Sequence, residues 1–471
     1  MKRRLLYFIL FICTFLFNIN VFALSDDSFQ NGILLDVGRR YYTVEEIKKY
    51  IDELAKEDNP FLQLHLTDDE NVGIENTYLD QTKEKAIVKE GNVYINPKTN
   101  KAFLTYDQIK EIMEYCKSKN VEFIPEIDVP AHMTGFFTLA RLKFGDEFVN
   151  KFAKGTGSES GNIDIVAPEG DDFIFKIFDE YTAFFKDCKY IHIGFDEYTY
   201  RIDEKADYIS KLFNYLDNKG FIVRMWNDSL TKNNIEKISN KIEVTYWDYY
   251  GSNYATVDDL EEKGFKVIMT NSYYLFFVPS VANTNKSDLE YTVNDILNNW
   301  DINKWDRNVD SKLNSVDNVI GNFVCLWSEN SAGVEDEVIR NQVIAMFKAM
   351  IKKTKHIRPT KYNIKDNENI VIQEKEYYLK DDVVEFTVKE KDGYEIESVK
   401  INNEKVSYTL EDGKYKFNMP NSDVEIIVEY KKNVGTIIPP NTIDYIYTYY
   451  LVSIISTLLL IFGYRKLKYT K

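Results

Sequence analysis

Between residues 25 and 358, short apolar runs alternate with longer stretches whose apolar residues recur three or four positions apart. The runs cover 33–37, 61–66, 121–127, 190–194, 222–225, 242–246, 266–269 and 322–326. Most are continuously apolar, as expected of strands buried on both faces, which parallel sheets require. The intervening stretches, such as 43–56, 106–118 and 171–185, carry the helical period. Thr43 followed by Glu45 and Glu46 is a helix-start signal. Eight strand–helix alternations predict an α/β fold, a (β/α)8 TIM barrel over residues 24–358. A doubly wound sheet competes, but no glycine-rich phosphate loop follows any run.

Beyond residue 360 the pattern changes to alternating or short apolar runs at 383–388, 396–401, 415–417 and 424–430. Turn signals stand at Asp392-Gly393 and Asp412-Gly413. Residues 360–431 therefore read as a small all-β, sandwich-like surface module, by default a spacer. The two ends are apolar in different ways. Lys2, Arg3 and Arg4 precede an uncharged run to Phe17 and then Val21-Phe22-Ala23, a signal peptide over residues 1–23. Residues 445–464 lack charge and are followed by Arg465, Lys466, Lys468 and Lys471. That predicts a transmembrane helix with a basic cytoplasmic tail over 465–471. In the linker 432–444, Pro439-Pro440-Asn441-Thr442 is similar to a sortase sorting signal, with Ile443 where a glycine is usual. The expectation is an exported protein held at the cell surface by its membrane helix or by sortase attachment to the wall.

Charge and cysteine content narrow the partners. A formal net charge of −16 disfavours nucleic acid and anionic lipid and favours a neutral or cationic polymer. Removal of the signal leaves Cys116, Cys188 and Cys325, an odd set without disulfide or ligand spacing. No two of His65, His132, His192 and His356 stand at zinc-site spacing. Neither a metal nor another cofactor is expected.

Reactive residues fall just past successive runs: Arg39, Asp68, Asp128 with His132, Asp196 with Glu197, Trp226 with Asp228, Trp247 with Asp248, Tyr274, and Trp327 with Glu329. Barrel enzymes build their sites at those strand ends, and scattered surface residues would not keep such a register.

The same segments resemble glycoside hydrolase family 20 in order and spacing. They are Leu35-Asp36-Val37-Gly38-Arg39, His65-Leu66-Thr67-Asp68-Asp69, Pro125-Glu126-Ile127-Asp128 with His132, and His192-Ile193-Gly194-Phe195-Asp196-Glu197. Met225-Trp226-Asn227-Asp228, Tyr246-Trp247, Tyr273-Tyr274-Leu275 and Leu326-Trp327-Ser328-Glu329 continue the match. The resemblance implies a β-N-acetylhexosaminidase acting on N-acetylglucosamine-containing polysaccharide, with the β-1,6-linked polymer favoured. It makes Glu197 the general acid and base, supported by an Asp68–His132 pair, and Asp196 the acceptor for the acetamido N–H. Tyr274 would align the substrate's carbonyl oxygen. Trp327 would floor the sugar and Trp226 and Trp247 wall the acetamide. Arg39 and Glu329 would bind hydroxyls, with Tyr200 near the leaving group and Asp228 among the binding residues.

Elementary geometry agrees. Most retaining glycosidases flank the bond with carboxyl groups about 5–5.5 Å apart. Sequence neighbours, with Cα atoms about 3.8 Å apart, instead suit adjacent atoms on one side of the anomeric carbon. That is the arrangement of substrate-assisted catalysis, where the sugar's own amide attacks. Three residues depart from the family pattern: Phe195 for a small residue, Ala131 for a glycine and Phe276 for an aspartate. Phe195 is expected to shift the acidic pair or narrow the pocket, and the alternative it raises is a sugar-binding adhesin without turnover.

Overall fold

The computed structural model describes residues 28–154, 161–249, 251–306, 316–372, 375, 377–402, 409–411, 413–433 and 442–468. Eight parallel strands form the barrel: β1 (Gln30–Asp36), β2 (Pro60–His65), β3 (Glu122–Val129), β4 (Tyr190–Gly194), β5 (Ile222–Trp226), β6 (Glu243–Tyr246), β7 (Lys266–Met269) and β8 (Val319–Leu326). They pair in sequence order, and β1 closes on β8 from Gln30↔Gly321 to Leu35↔Leu326. Closure leaves no barrel edge, and the near-continuous burial of these strands explains their apolar runs. A two-residue strand, Phe276–Phe277, pairs with Cys325 and Leu326 of β8, beyond the stretch that β7 occupies.

The principal helices are α1 (Val44–Leu54), α2 (Tyr106–Ser118), α3 (Thr134–Phe144), α4 (Pro168–Phe184), α5 (Lys205–Asp217), α6 (Val257–Glu262), α7 (Lys286–Asn299) and α8 (Asp336–Thr354). Thr43 caps α1 by accepting from the Glu46 amide, and Thr105 and Gln108 form a capping box on α2. Alternation is not perfect. Two 3-10 turns, Asn227–Ser229 and Ile235–Lys237, replace a helix between β5 and β6.

Inside the barrel, Leu34, Phe61, Ile124, Tyr190, Trp226, Ile268, Phe323 and Cys325 pack as one cluster. Toward the amino ends of the strands, buried Arg224 donates to Glu243 (2.9 Å) and lies 4.1 Å from the Tyr190 ring. Toward the carboxyl ends the lining turns polar, with Gln63, His65, Glu126, His192 and Thr245 all buried. The interior is thus a packed plug below a polar mouth.

The chain divides into two compact units at Lys361 and Tyr362. In the second, Ile370–Ile372, Val383–Val388, Lys414–Asn418 and Thr409–Glu411 form an antiparallel sheet, and Tyr394–Ile401 pairs with Ile426–Lys432. Val384, Phe386, Val399, Ile401, Phe417 and Ile426 are among its buried residues. Gly393 and Gly413, both at φ +77°, occupy the turn positions that favour glycine.

At the carboxyl end the expected transmembrane helix finds no support. Helix Thr442–Lys468 does form, but among the described residues no helix is long and apolar enough to cross a membrane. The signal segment and Pro439-Pro440-Asn441 lie outside the described residues.

Gly32 shares the inward register of Leu34, and a Cβ there would stand 2.2 Å from the Phe61 ring. Gly32→Ala should therefore lower the unfolding free energy by about 1–3 kcal/mol, the usual cost of overpacking, measured by urea titration of the full chain.

Candidate active site

The site is built from the carboxyl ends of the strands. After β1, Arg39 reaches three carboxylates: Asp36 Oδ2 (3.1 Å), Asp68 Oδ2 (2.8 Å) and Glu70 Oε2 (3.2 Å). Burial opposes its charge, but Asp36, Asp68, Glu70 and Glu329 outweigh that and raise its pKa. Its guanidinium also lies 5.5 Å from the Trp327 ring. Asp68 meets buried His65 at 2.7 Å.

Glu126, fully buried on β3, is the centre of a second knot. It accepts from Gln63 Nε2 (2.9 Å) and Trp226 Nε1 (2.8 Å), with His65 at 3.3 Å and His192 at 3.2 Å. Burial opposes ionisation of Glu126, but His192 and His65 hold its carboxyl well below the usual range. Burial likewise opposes the His65 cation, and Glu126 and Asp68 raise it well above the ordinary histidine value.

Past β4 the backbone leaves extended geometry. Gly194, Phe195 and Glu197 take φ of +70°, +71° and +52°. In an ordinary strand, successive side chains face opposite ways. This turn instead brings Asp196 and Glu197 to the same histidine: His132 Nε2 is 3.7 Å from Asp196 Oδ2 and 3.6 Å from Glu197 Oε2. The Glu197 amide donates to Asp228 Oδ2 at 2.6 Å, and Ser229 Oγ donates to the Phe195 carbonyl. Gly194 has to be glycine, because a Cβ would fall 1.7 Å from Asp128 Oδ1. The Phe195 side chain does not point into the site. Its ring is buried in the outer core against Tyr198 and Tyr208 (6.1 and 6.4 Å).

The protonation pattern follows from this crowding. Burial first and the Asp196 charge second raise the Glu197 carboxyl, while His132 and Arg39 pull it down. Asp228 is pushed up to about 7 by burial and then by Asp196. Burial and Asp196 raise Asp128 well above its usual range. Burial opposes the His132 cation, but Asp69, Asp196, Asp128 and Asp68 lift its pKa well above the histidine norm.

Three His/Asp groups bring ligand-type atoms within 4.8 Å: His65 with Asp68 and Asp128, Asp68 with Asp69 and His132, and Asp128 with His132 and Asp196. Sequence spacing does not reveal them. Arg39, His65 and His132 already supply cations to this set.

The aromatic lining is layered. Trp327 at the mouth contacts His65 (5.1 Å), Trp226 (5.9 Å) and Phe276 (5.7 Å). Phe276 in turn stacks on Trp247 at 5.7 Å and 11°. Tyr274 lies on the short helix Ser272–Leu275, pinned by Ser272 N to the Trp247 carbonyl (2.9 Å), with Lys304 5.6 Å above its ring.

Several expectations need correcting. Trp226 is only 1 % exposed. It lies beneath Trp327 and supports the floor rather than walling a substrate group. Asp228 is buried and uses its carboxylate on the Glu197 amide and on Trp247 Nε1 (3.4 Å), so it positions the protein rather than the sugar. Asp69, at 3.5 Å, is nearer His132 than Asp68 is, at 3.8 Å. Tyr200 packs against Arg201 at 5.0 Å, in the loop after β4. Glu329 is exposed and acts on Arg39 through its charge. Sequence reasoning gave no separate role to Glu126, Asp69 or Glu70. Each lies within or beside a quoted motif, but only the fold shows that Gln63, Trp226, His65 and His192 converge on Glu126.

Residues 30–343 match the model of glycosyl hydrolase family 20, catalytic domain. The crystal structure of Dispersin B superposes with a TM-score of 0.65 at 34% identity, covering 69% of this chain and 99% of that one. A chitooligosaccharidolytic β-N-acetylglucosaminidase of Bombyx mori is 25% identical over 52% of this chain, and a β-hexosaminidase of Vibrio furnissii 27% identical over 35%. Those alignments span only 44% and 28% of the two curated relatives.

Asp69 is lowered to about 2: burial opposes this, but bonds from His132 and Thr134 prevail. A depressed carboxyl contributes stability above its unfolded value, and that contribution is lost as pH falls through the folded value. Asp69→Asn should therefore flatten the fall in unfolding free energy between about pH 4 and pH 2, read by denaturant titration across that range.

Proposed function

The chain belongs to glycosyl hydrolase family 20, and we propose that it is a retaining β-N-acetylhexosaminidase that cleaves β-linked N-acetylglucosamine by substrate-assisted catalysis. The observation that carries this reading is the placement of neighbouring Asp196 and Glu197 on one histidine, at the barrel mouth that the partly buried rings of Trp327 and Trp247 share. Glu197, its carboxyl raised by burial and by Asp196, holds a proton for the leaving oxygen and then activates water from the same side. Asp196 accepts the acetamido N–H and offsets charge on the cyclised intermediate. The substrate carbonyl oxygen attacks the anomeric carbon, with Tyr274 aligning it. Trp327 and Trp247 present apolar faces to the sugar and exclude water.

The favoured substrate is poly-β-1,6-N-acetylglucosamine. Support comes from the similarity to Dispersin B across nearly all of its length and from the −16 charge, which suits a partly deacetylated, cationic polymer. Export belongs to the same proposal and rests on the basic, apolar and small-residue order of residues 1–23. The β module from Tyr362 onward is read as a spacer.

Release of nitrophenol from a chromogenic β-N-acetylglucosaminide should fall by about 10²–10⁴ in Glu197→Gln, the usual worth of general acid–base catalysis. Inactivity of the folded wild type removes the reading.

The pH profile gives a second check. Glu197 acts while protonated, so turnover declines as pH rises through its pKa. Removing the neighbouring charge removes one cause of the elevation. The residual activity of Asp196→Asn should thus lose its alkaline limb at lower pH than the wild type.

A further inference from the structure

A polymer with one sugar in the hollow must run out across the rim. The helix Ser272–Leu275 carries two tyrosines with different surroundings. Tyr274 is partly buried against the core, whereas Tyr273 is 51% exposed. Their rings stand 4.8 Å apart, edge to face. On α7, which packs against this short helix, Tyr291 is 67% exposed and neighbours Tyr273. Tyr274, Tyr273 and Tyr291 therefore succeed one another from the partly buried end of the short helix to the exposed face of α7.

Neither exposed ring is needed to hold its helix in place. Leu275 buries the short helix and Ile296 buries α7. Asn271 fixes the segment from below, accepting from the Tyr273 amide (3.0 Å) and donating to the Lys304 carbonyl (2.9 Å). This succession is preorganised: its backbone is anchored at Trp247 and Lys304, and a tyrosine has few torsions to freeze on binding. Flat aromatic faces with polar tips suit C–H-rich sugar faces bearing hydroxyls at their edges.

We propose that Tyr273 and Tyr291 form a ledge that stacks a further sugar unit of an N-acetylglucosamine polymer outside the catalytic hollow. The proposal deepens the functional reading above and rests on it for the identity of the ligand. Continuity with Tyr274 favours the substrate chain over any other occupant.

The test uses the full chain carrying Tyr273→Ala and Tyr291→Ala, in an active and in a Glu197→Gln background. In the Glu197→Gln protein, affinity for a β-linked N-acetylglucosamine pentamer should drop about three- to tenfold, as expected for loss of aromatic stacking. Affinity for the monosaccharide should not change. In the active protein, kcat/KM on the chromogenic monosaccharide substrate should equal that of the wild type. Unchanged pentamer affinity overturns the ledge. So does an equal loss on monosaccharide and pentamer, which would mean the tyrosines merely shape Tyr274. Concentration-dependent dimerisation of the wild type that vanishes in the variant assigns the rings to a second copy, and also overturns it. Pentamer binding that depends on the ledge, in a wild type that never hydrolyses the chromogenic substrate, retains the ledge and removes the catalytic reading.

Discussion

The site depends on a short stretch of backbone that refuses to remain a strand. If β4 simply continued, Asp196 and Glu197 would face opposite sides. Left-handed geometry at Gly194, Phe195 and Glu197 turns both carboxyls toward His132 and sends the Phe195 ring into the outer core. Non-glycine residues hold such geometry only when their surroundings enforce it. Asp228 accepting the Glu197 amide, Ser229 bonding the Phe195 carbonyl and Asp128 lying against Gly194 provide that enforcement.

Concentrating so many carboxyl groups in a buried mouth requires compensation, because an unpaired buried charge costs far more than a paired one returns. The mouth solves this in two ways. Asp36, Asp68 and Glu126 remain within reach of Arg39, His65 and His192. Asp128, Asp228 and Glu197 are instead pushed toward their neutral forms by burial and by Asp196. The same crowding that threatens stability is what keeps a proton on Glu197.

The barrel was legible because strands buried on both faces write continuous apolar runs. The eight runs lie within a few residues of the observed strands, and the 106–118 helix matches α2. The clustering of Arg39, Asp68, His132, Asp196 and Glu197 was legible from their strand-end register. What the pattern could not carry was the sign of φ after Gly194, and hence the direction of Phe195. Nor could it separate Asp68 from Asp69 as the nearer partner of His132, since one residue past a strand end the rotamers decide. Trp226 looked like a wall because strand-end position does not encode depth; its bond to Glu126 draws it below the floor.

The central claim is that neighbouring acids steer the substrate's own amide onto its anomeric carbon. It is tested most directly by turnover of chromogenic glycosides whose N-acetyl group carries zero, one, two or three fluorines. Each fluorine weakens the carbonyl oxygen as a nucleophile while leaving the ring and the leaving group unchanged. The account predicts a steep, progressive fall in kcat along the series. A kcat indifferent to fluorination would contradict it and assign the attack to a group of the protein.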